Sequence, residues 1–120
     1  MTETPIGSFE DAVAYALTLP DTELSTSYGK PAVKVKSNGR AFLYTGHEHQ
    51  NSFGIGIDLD TVEILKETDP DTFFQTPHYE GWPAVLIRFD SKDPERVRAM
   101  IERSRDWTAA KPPPRARKRK

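Results

Sequence analysis

The chain has 120 residues, 36% of them hydrophobic and 29% charged, which is typical of one globular domain. It contains no cysteine, so disulfides, thiolate metal sites and cysteine nucleophiles are excluded. No apolar run approaches the roughly 20 residues that cross a bilayer, and the sequence MTETPIG lacks the basic and apolar regions of a signal peptide, so we expect a soluble cytoplasmic protein without membrane contacts.

Charge is distributed unevenly along the chain. The last ten residues, KPPPRARKRK, carry no acid and six cations: Lys111, Arg115, Arg117, Lys118, Arg119 and Lys120. Taking these six from the 17 Lys and Arg leaves residues 1–110 with 11, against 18 Asp and Glu, a net charge of -7. We expect a flexible N-terminus over residues 1–7, one domain over 8–109 and a basic, proline-rich disordered tail over 110–120. The tail either solubilises the chain or adds salt-sensitive affinity for phosphates.

The first predicted elements are a helix and a strand. Ser8 has the position of an N-cap whose hydroxyl accepts from the backbone near Asp11. An apolar stripe at helical spacing follows, formed by Phe9, Ala12, Val13, Ala16 and Leu17. Pro20 ends the helix, and residues 23–28 then alternate in the manner of a strand.

A hairpin is predicted where the sequence is AVKVKSNGRAFLYT. Asn38-Gly39 is the preferred pair for a two-residue type I′ turn, which sets Val33 opposite Tyr44. This register predicts four core-facing side chains, Val33, Val35, Phe42 and Tyr44. It predicts four outward-facing side chains, Lys34, Lys36, Ala41 and Leu43.

The rest of the chain predicts two strands and two helices. The segment FGIGID is a strand with Phe53, Ile55 and Ile57 inward, and Gly54 and Gly56 leave a flat strip for a neighbouring backbone or a flat ligand. A helix begins near Asp60 and buries Val62, Ile64 and Leu65. Asp69-Pro70 begins one more helical turn, and residues 84–89 form a buried strand. Asp93 and Pro94 begin the last helix, whose inward stripe is Val97, Met100, Ile101, Ser104 and Trp107.

The predicted order is therefore helix, four strands, helix, strand, helix. Strands that are joined by hairpins form an antiparallel sheet, here of about five strands. With helices on one face, this arrangement is a two-layer α+β domain.

This order, together with the stretches TSYGKPAVKV and FFQTPHYEGWPAVLIRF, resembles the MmcQ/YjbR-like family of small bacterial proteins over Phe9 to Trp107. The segments most typical of the family are Ser27-Tyr28-Gly29-Lys30-Pro31, Thr76-Pro77-His78-Tyr79 and Trp82. The resemblance implies a compact α+β domain with a curved antiparallel sheet, similar in shape to double-winged DNA-binding modules. Members of the family are often labelled DNA-binding because of this similarity in shape, and we expect no cofactor.

The His78 cluster is the first candidate site. Catalysis, ligand contact and a structural corner are the alternatives, and no recognised catalytic spacing surrounds His78. We favour the structural role, in which the aromatic rings of Tyr79 and Trp82 pack on the sheet edge, and we expect no enzymatic activity. The same role is expected for the other family-motif residues: Tyr28, Gly29, Pro31 and Pro77.

His47-Glu48-His49 is a second candidate, for a metal. Two histidines one residue apart lack a third and a fourth ligand nearby in the sequence. We therefore expect a solvated loop and no bound metal.

The hairpin carries the third candidate, a basic set of Lys30, Lys34, Lys36 and Arg40. No acidic residue lies between Leu24 and His47. These cations either contact phosphates, with the hairpin acting as a wing, or solvate the strand and deter aggregation.

The sequence thus predicts a non-catalytic protein that binds DNA weakly, mostly through phosphates, with the four hairpin cations and the six tail cations. The alternative is a protein-interaction module that uses the outer sheet face. This alternative is motivated by the acidic body and by Ala41 and Leu43 among the lysines.

Overall fold

The computed structural model describes residues 6–27, 29–45, 52–77, 79–89 and 91–112. Within these ranges the chain forms three helices: α1 (Phe9–Ala16), α2 (Leu59–Thr68) and α3 (Pro94–Ala109). It also forms six strands: β1 (Thr22–Ser27), β2 (Lys30–Val35), β3 (Ala41–Thr45), β4 (Ser52–Gly56), β5 (Phe73–Phe74) and β6 (Ala84–Arg88). None of the helices in these ranges has the length and apolar character that crossing a bilayer requires.

All neighbouring strands run antiparallel, in the order β1-β2-β3-β4-β6-β5. The predicted antiparallel α+β fold is confirmed, with one short strand more than expected. At Asp69-Pro70 a single turn closes through the Phe73 N–H, which donates to Asp69 O at 2.9 Å. The chain then enters β5 directly, since Phe73 pairs with Ile87 of β6.

One hydrophobic core joins all three helices to one face of the sheet. Fully buried strand residues such as Val33, Phe53 and Ile55 pack with buried residues from each helix: Ala12, Ala16, Val62, Leu65, Val97 and Ile101. The predicted helices on one face are therefore confirmed. The prediction that Ile64 is buried is wrong, because the residue is 54% exposed.

The ends of the helices follow local capping chemistry. Ser8 Oγ accepts from Asp11 N at 3.1 Å, and Asp93 Oδ1 accepts from Arg96 N at 3.2 Å, with Pro94 in the first turn. Both predicted N-caps are confirmed. The packed region begins earlier than the predicted boundary at residue 8, because Ile6 is 5% exposed and belongs to the core.

The hairpin register differs from the prediction. Gly39 has φ +72°, but Asn38 does not have the positive φ of a type I′ turn. Instead, Val35 pairs with Arg40 across a four-residue loop: Val35 N donates to Arg40 O at 2.9 Å, and Gly39 N donates to Val35 O at 2.8 Å. A bulge follows, so that Lys34 faces Ala41 and Val33 faces Leu43.

This bulge changes which side chains of β3 enter the core. Phe42 is the extra residue of β3 at the bulge, and a bulge re-aims side chains beside it. Phe42 and Leu43 are consequently both fully buried in the core cluster. The outward prediction for Leu43 is wrong. The inward prediction for Tyr44 is wrong too, because its ring covers Gly54 on the opposite face.

Ser104 of α3 joins the helix to the sheet at the bulge. Its hydroxyl lies 3.1 Å from Phe42 O and 2.5 Å from Gly56 O, and the residue is fully buried. The single hydroxyl hydrogen is therefore shared between two carbonyls from different strands. This contact fixes α3 across β3 and β4.

Replacing Ser104 by alanine removes this donor and leaves buried carbonyls without it. We expect S104A to lower the free energy of unfolding by about 1–3 kcal/mol, as measured by urea denaturation. Ala99→Ser makes the reverse exchange at an exposed position of α3 and should cost about 0.5 kcal/mol or less. Equal losses in the two variants would contradict this role for Ser104.

Candidate nucleic-acid interface

The predicted hairpin cations do not form one patch. Lys34 on β2 has Glu23 of β1 as its direct cross-strand neighbour, and opposite charges in that position attract each other. Lys30 begins β2 and Lys36 follows it, so at about 3.3 Å per strand residue they lie roughly 20 Å apart. Lys30 therefore lies apart from Lys36, at the opposite end of the strand.

Arg40 and Lys111, by contrast, come together at the end of α3. Arg40 Nε donates to Pro112 O at 2.6 Å. Burial first, and then the neighbouring Arg40 charge, lower the pKa of Lys111 below its ordinary value. The Lys111 ammonium group lies 3.7 Å from the centre of the Trp107 ring, a cation–π contact. We call Arg40 and Lys111 the basic corner.

Asn38 holds the basic corner in place. Its Nδ2 donates to Thr108 O at 2.8 Å and to Lys111 O at 3.0 Å, and its Oδ1 accepts from Arg40 N at 3.0 Å. Asn38 is 7% exposed. The last carbonyls of a helix have no partner within the helix, so a buried amide from the hairpin provides donors for the end of α3.

The nearest acid on the last turn of α3 is already paired. Asp106 Oδ1 accepts from the guanidinium of Arg105. The Asp106 carboxylate therefore neutralises little of the positive charge of the basic corner. Beyond Pro112, the predicted tail contacts of Arg115, Arg117, Lys118, Arg119 and Lys120 lie outside the described residues.

The glycine strip on β4 is covered by side chains. A Cβ on Gly54 would stand 2.6 Å from the Tyr44 ring. A Cβ on Gly56 would lie 3.7 Å from Cζ3 of Trp107. It would lie 3.8 Å from both the Pro83 carbonyl oxygen and the Tyr44 hydroxyl. The Tyr44 ring therefore covers Gly54, where a backbone or a flat ligand was predicted. Burial raises the pKa of the Tyr44 hydroxyl, and the neighbouring Tyr79 raises it further.

Gln75 organises the loop that precedes β6. Its Nε2 lies 3.0 Å from Tyr79 O, 3.2 Å from Trp82 O and 2.7 Å from Ala84 O, and its Oε1 accepts from Lys66 Nζ at 2.9 Å. The predicted packing of Trp82 on the sheet edge is wrong, because its side chain is 63% exposed.

The remaining family-motif residues differ in exposure, and two of them lie outside the described residues. Gly29 adopts φ +78°, and Pro31 lies exposed on β2 opposite Thr26. Pro77 is exposed and Tyr79 is half-buried. Tyr28, His78 and His47-Glu48-His49 lie outside the described residues, so their predicted roles stay predictions. Among the residues that the structure describes, no group of three His, Asp or Glu residues is placed to hold a metal ion.

Comparison with known proteins gives a family and a fold. The sequence model of the YjbR family matches residues 17–107. The crystal structure of Deinococcus radiodurans protein DR2400, which has a DUF419 domain, superposes with a TM-score of 0.64 at 18% identity, covering 88% of this chain and 78% of that chain. At this identity the similarity shows the fold alone. No curated protein matches the chain.

Alanine at Gly54 tests the covering role of Tyr44. A Cβ at 2.6 Å from the buried ring forces the ring to shift, so G54A should lower the free energy of unfolding by about 1–3 kcal/mol. Gly56→Ala is the matched control on the same strand, because its Cβ meets ordinary contacts at 3.7–3.8 Å. Thermal unfolding of both variants measures the difference, and a G56A loss as large as that of G54A would contradict the assignment.

Asn38→Ala tests what holds the basic corner. The variant removes one donor to Thr108 O, which still accepts from Lys111 N at 3.1 Å, and it removes the side-chain partners of Lys111 O and Arg40 N. We therefore expect the free energy of unfolding to fall by about 1–3 kcal/mol in urea denaturation. Ser37→Ala changes an exposed neighbour in the same loop and should stay within about 0.5 kcal/mol of the unmodified protein. A stable N38A protein would show that the end of α3 does not depend on this amide.

Proposed function

The chain belongs to the YjbR family, and we propose that it is a non-catalytic cytoplasmic protein that binds DNA weakly and mainly through phosphates at the basic corner. The observation that carries the proposal is the hydrogen bond from Arg40 Nε to Pro112 O, with Lys111 beside it. This bond joins the hairpin to the start of the basic tail.

Support for an anionic ligand comes from the electrostatics of the basic corner. Burial lowers the pKa of Lys111 and the neighbouring Arg40 charge lowers it further. The two like charges repel each other, while hydrogen bonds to the Lys111 and Pro112 carbonyls keep them close. A phosphate beside both groups relieves that repulsion. Because Asn38 and the end of α3 fix the geometry, little reorganisation is needed on binding.

The tail extends the same positive field. Pro112 is held by Arg40, and Arg115 is only three residues further along the chain. Five further cations thus start from the basic corner, whereas residues 1–110 carry a net charge of -7. Repulsion by that acidic body keeps DNA at this end of the molecule and makes binding weak and sensitive to salt.

The outer hairpin face contributes less to this proposal than the sequence predicted. Lys34 has Glu23 as its neighbour, and Lys30 lies at the far end of β2. Lys36 is exposed in the hairpin loop, close in the chain to Arg40, and is the hairpin lysine that we expect to add to the basic corner.

A protein partner is the second candidate, and β1 is the feature that favours it. This strand lies at the edge of the sheet formed by the described residues, with Leu24 58% exposed. An edge strand can accept a strand from another chain. Leu43 was expected to contribute to a protein-binding face, but it is buried. Binding of a protein at β1 would not depend on Lys111.

Titration of a labelled DNA duplex tests the phosphate contacts by fluorescence anisotropy at about 50 and 200 mM salt. We expect Lys111→Gln to weaken binding and to reduce the salt slope by about 0.9, the value for one phosphate contact. Replacing the five cations of residues 115–120 by glutamine should weaken binding further. Lys92→Gln is the control, because it removes the same charge at the other end of α3, about 25 Å away.

Two outcomes would contradict the proposal. One is undetectable binding of the unmodified protein at the lower salt concentration. The other is an equal effect of K92Q and K111Q, which would mean that only net charge matters and that the basic corner is not the contact.

A further inference from the structure

Trp82 is an exposed aromatic residue shortly before β6. The residue is 63% exposed, although tryptophan usually buries most of its large apolar surface. The loop is nevertheless well tied, because Gln75 bonds to the carbonyls of Tyr79, Trp82 and Ala84. The ring is therefore held in solvent by a fixed backbone.

The backbone that follows Trp82 leads towards the side of the sheet on which Trp107 and Lys111 lie. Pro83, its neighbour in the chain, accepts from Ile57 N at 3.0 Å. The Pro83 carbonyl oxygen and Trp107 Cζ3 lie 3.8 and 3.7 Å from the Cβ position of Gly56. The backbone at Pro83, which follows Trp82, and the Trp107 ring thus lie on either side of Gly56, and Lys111 lies over the Trp107 ring. Trp82, Gly56, Trp107 and Lys111 therefore follow one another along this part of the surface. We call this surface the aromatic–basic strip.

We propose that the aromatic–basic strip binds a single strand of nucleic acid, with an unpaired base stacked on Trp82 and phosphates on Lys111 and Arg40. The proposal rests on the proposed function, since the basic corner supplies the phosphate contacts, and it specifies the form of the ligand. Aromatic side chains beside cations are the means by which proteins hold single strands. Inside a duplex the base faces are stacked on each other, so a duplex offers Trp82 a free face only at its two ends.

The charges along the strip favour one orientation of this ligand. Glu80 is exposed two residues before Trp82, so phosphates are repelled at that end, where an uncharged base face is accepted. Lys111 and Arg40 attract phosphates at the other end. A base on Trp82 and a backbone that leads towards Lys111 match this separation of charge.

Binding of oligonucleotides of about 12 nucleotides tests the proposal, with single-stranded DNA, single-stranded RNA and the matching DNA duplex compared at one salt concentration. We expect tighter binding of a single strand than of the duplex, although the duplex has the higher charge density. Trp82→Ala should lower single-strand affinity at least about fivefold and leave duplex affinity unchanged, and Trp82→Phe should retain most of it. The DNA and RNA arms identify which strand is preferred.

Leu24→Ala is the matched control, because it removes another exposed apolar side chain, on β1. Since the chain has two tryptophans, Trp107→Phe leaves Trp82 as the only indole, and its fluorescence should be quenched by a single strand. Urea denaturation verifies that W82A is folded.

Failure of the two proposals can be told apart. Duplex binding that equals or exceeds single-strand binding, or a W82A protein that keeps full single-strand affinity, overturns the role of Trp82 and leaves the basic corner intact. Absence of binding to every oligonucleotide overturns both.

Discussion

The basic corner depends on one buried side chain, that of Asn38. The two polar ends of its amide connect the hairpin loop to the last turn of α3, which lies 70 residues away in the sequence. Without these bonds the end of the helix and the loop would each lose hydrogen-bond partners, and only the bond from Arg40 Nε to Pro112 O would hold Arg40 near Lys111. Two like charges stay close only because neutral hydrogen bonds and the core beneath them resist separation.

Local signals in the sequence were enough for much of the fold. Ser8 and Asp93 begin helices because capping requires only the next three residues, and the inward positions of Val33 and Val35 follow from alternation. The register of the hairpin was not predictable in this way. The Asn-Gly rule assumes that the pair serves its own turn, whereas Asn38 bonds to a distant helix and the bulge at Phe42 compensates for the longer loop.

For the candidate site, the sequence identified the cations but not their neighbours. Lys34 was expected in a positive field, yet Glu23 comes beside it through strand pairing. Arg40 and Lys111 meet only in the folded chain. The contact of Trp107 with Lys111 could be predicted from the sequence, since residues four apart share a helix face. The bonds of Gln75 to the loop that carries Trp82 had no such pattern in the sequence.

The way in which Gln75 holds its loop has an evolutionary consequence. Its amide bonds to backbone oxygens, which every residue type provides whatever side chain it bears. Position 82 can therefore mutate without loosening the anchor, and this scaffold can diversify its recognition chemistry among descendants while the underlying domain is inherited unchanged.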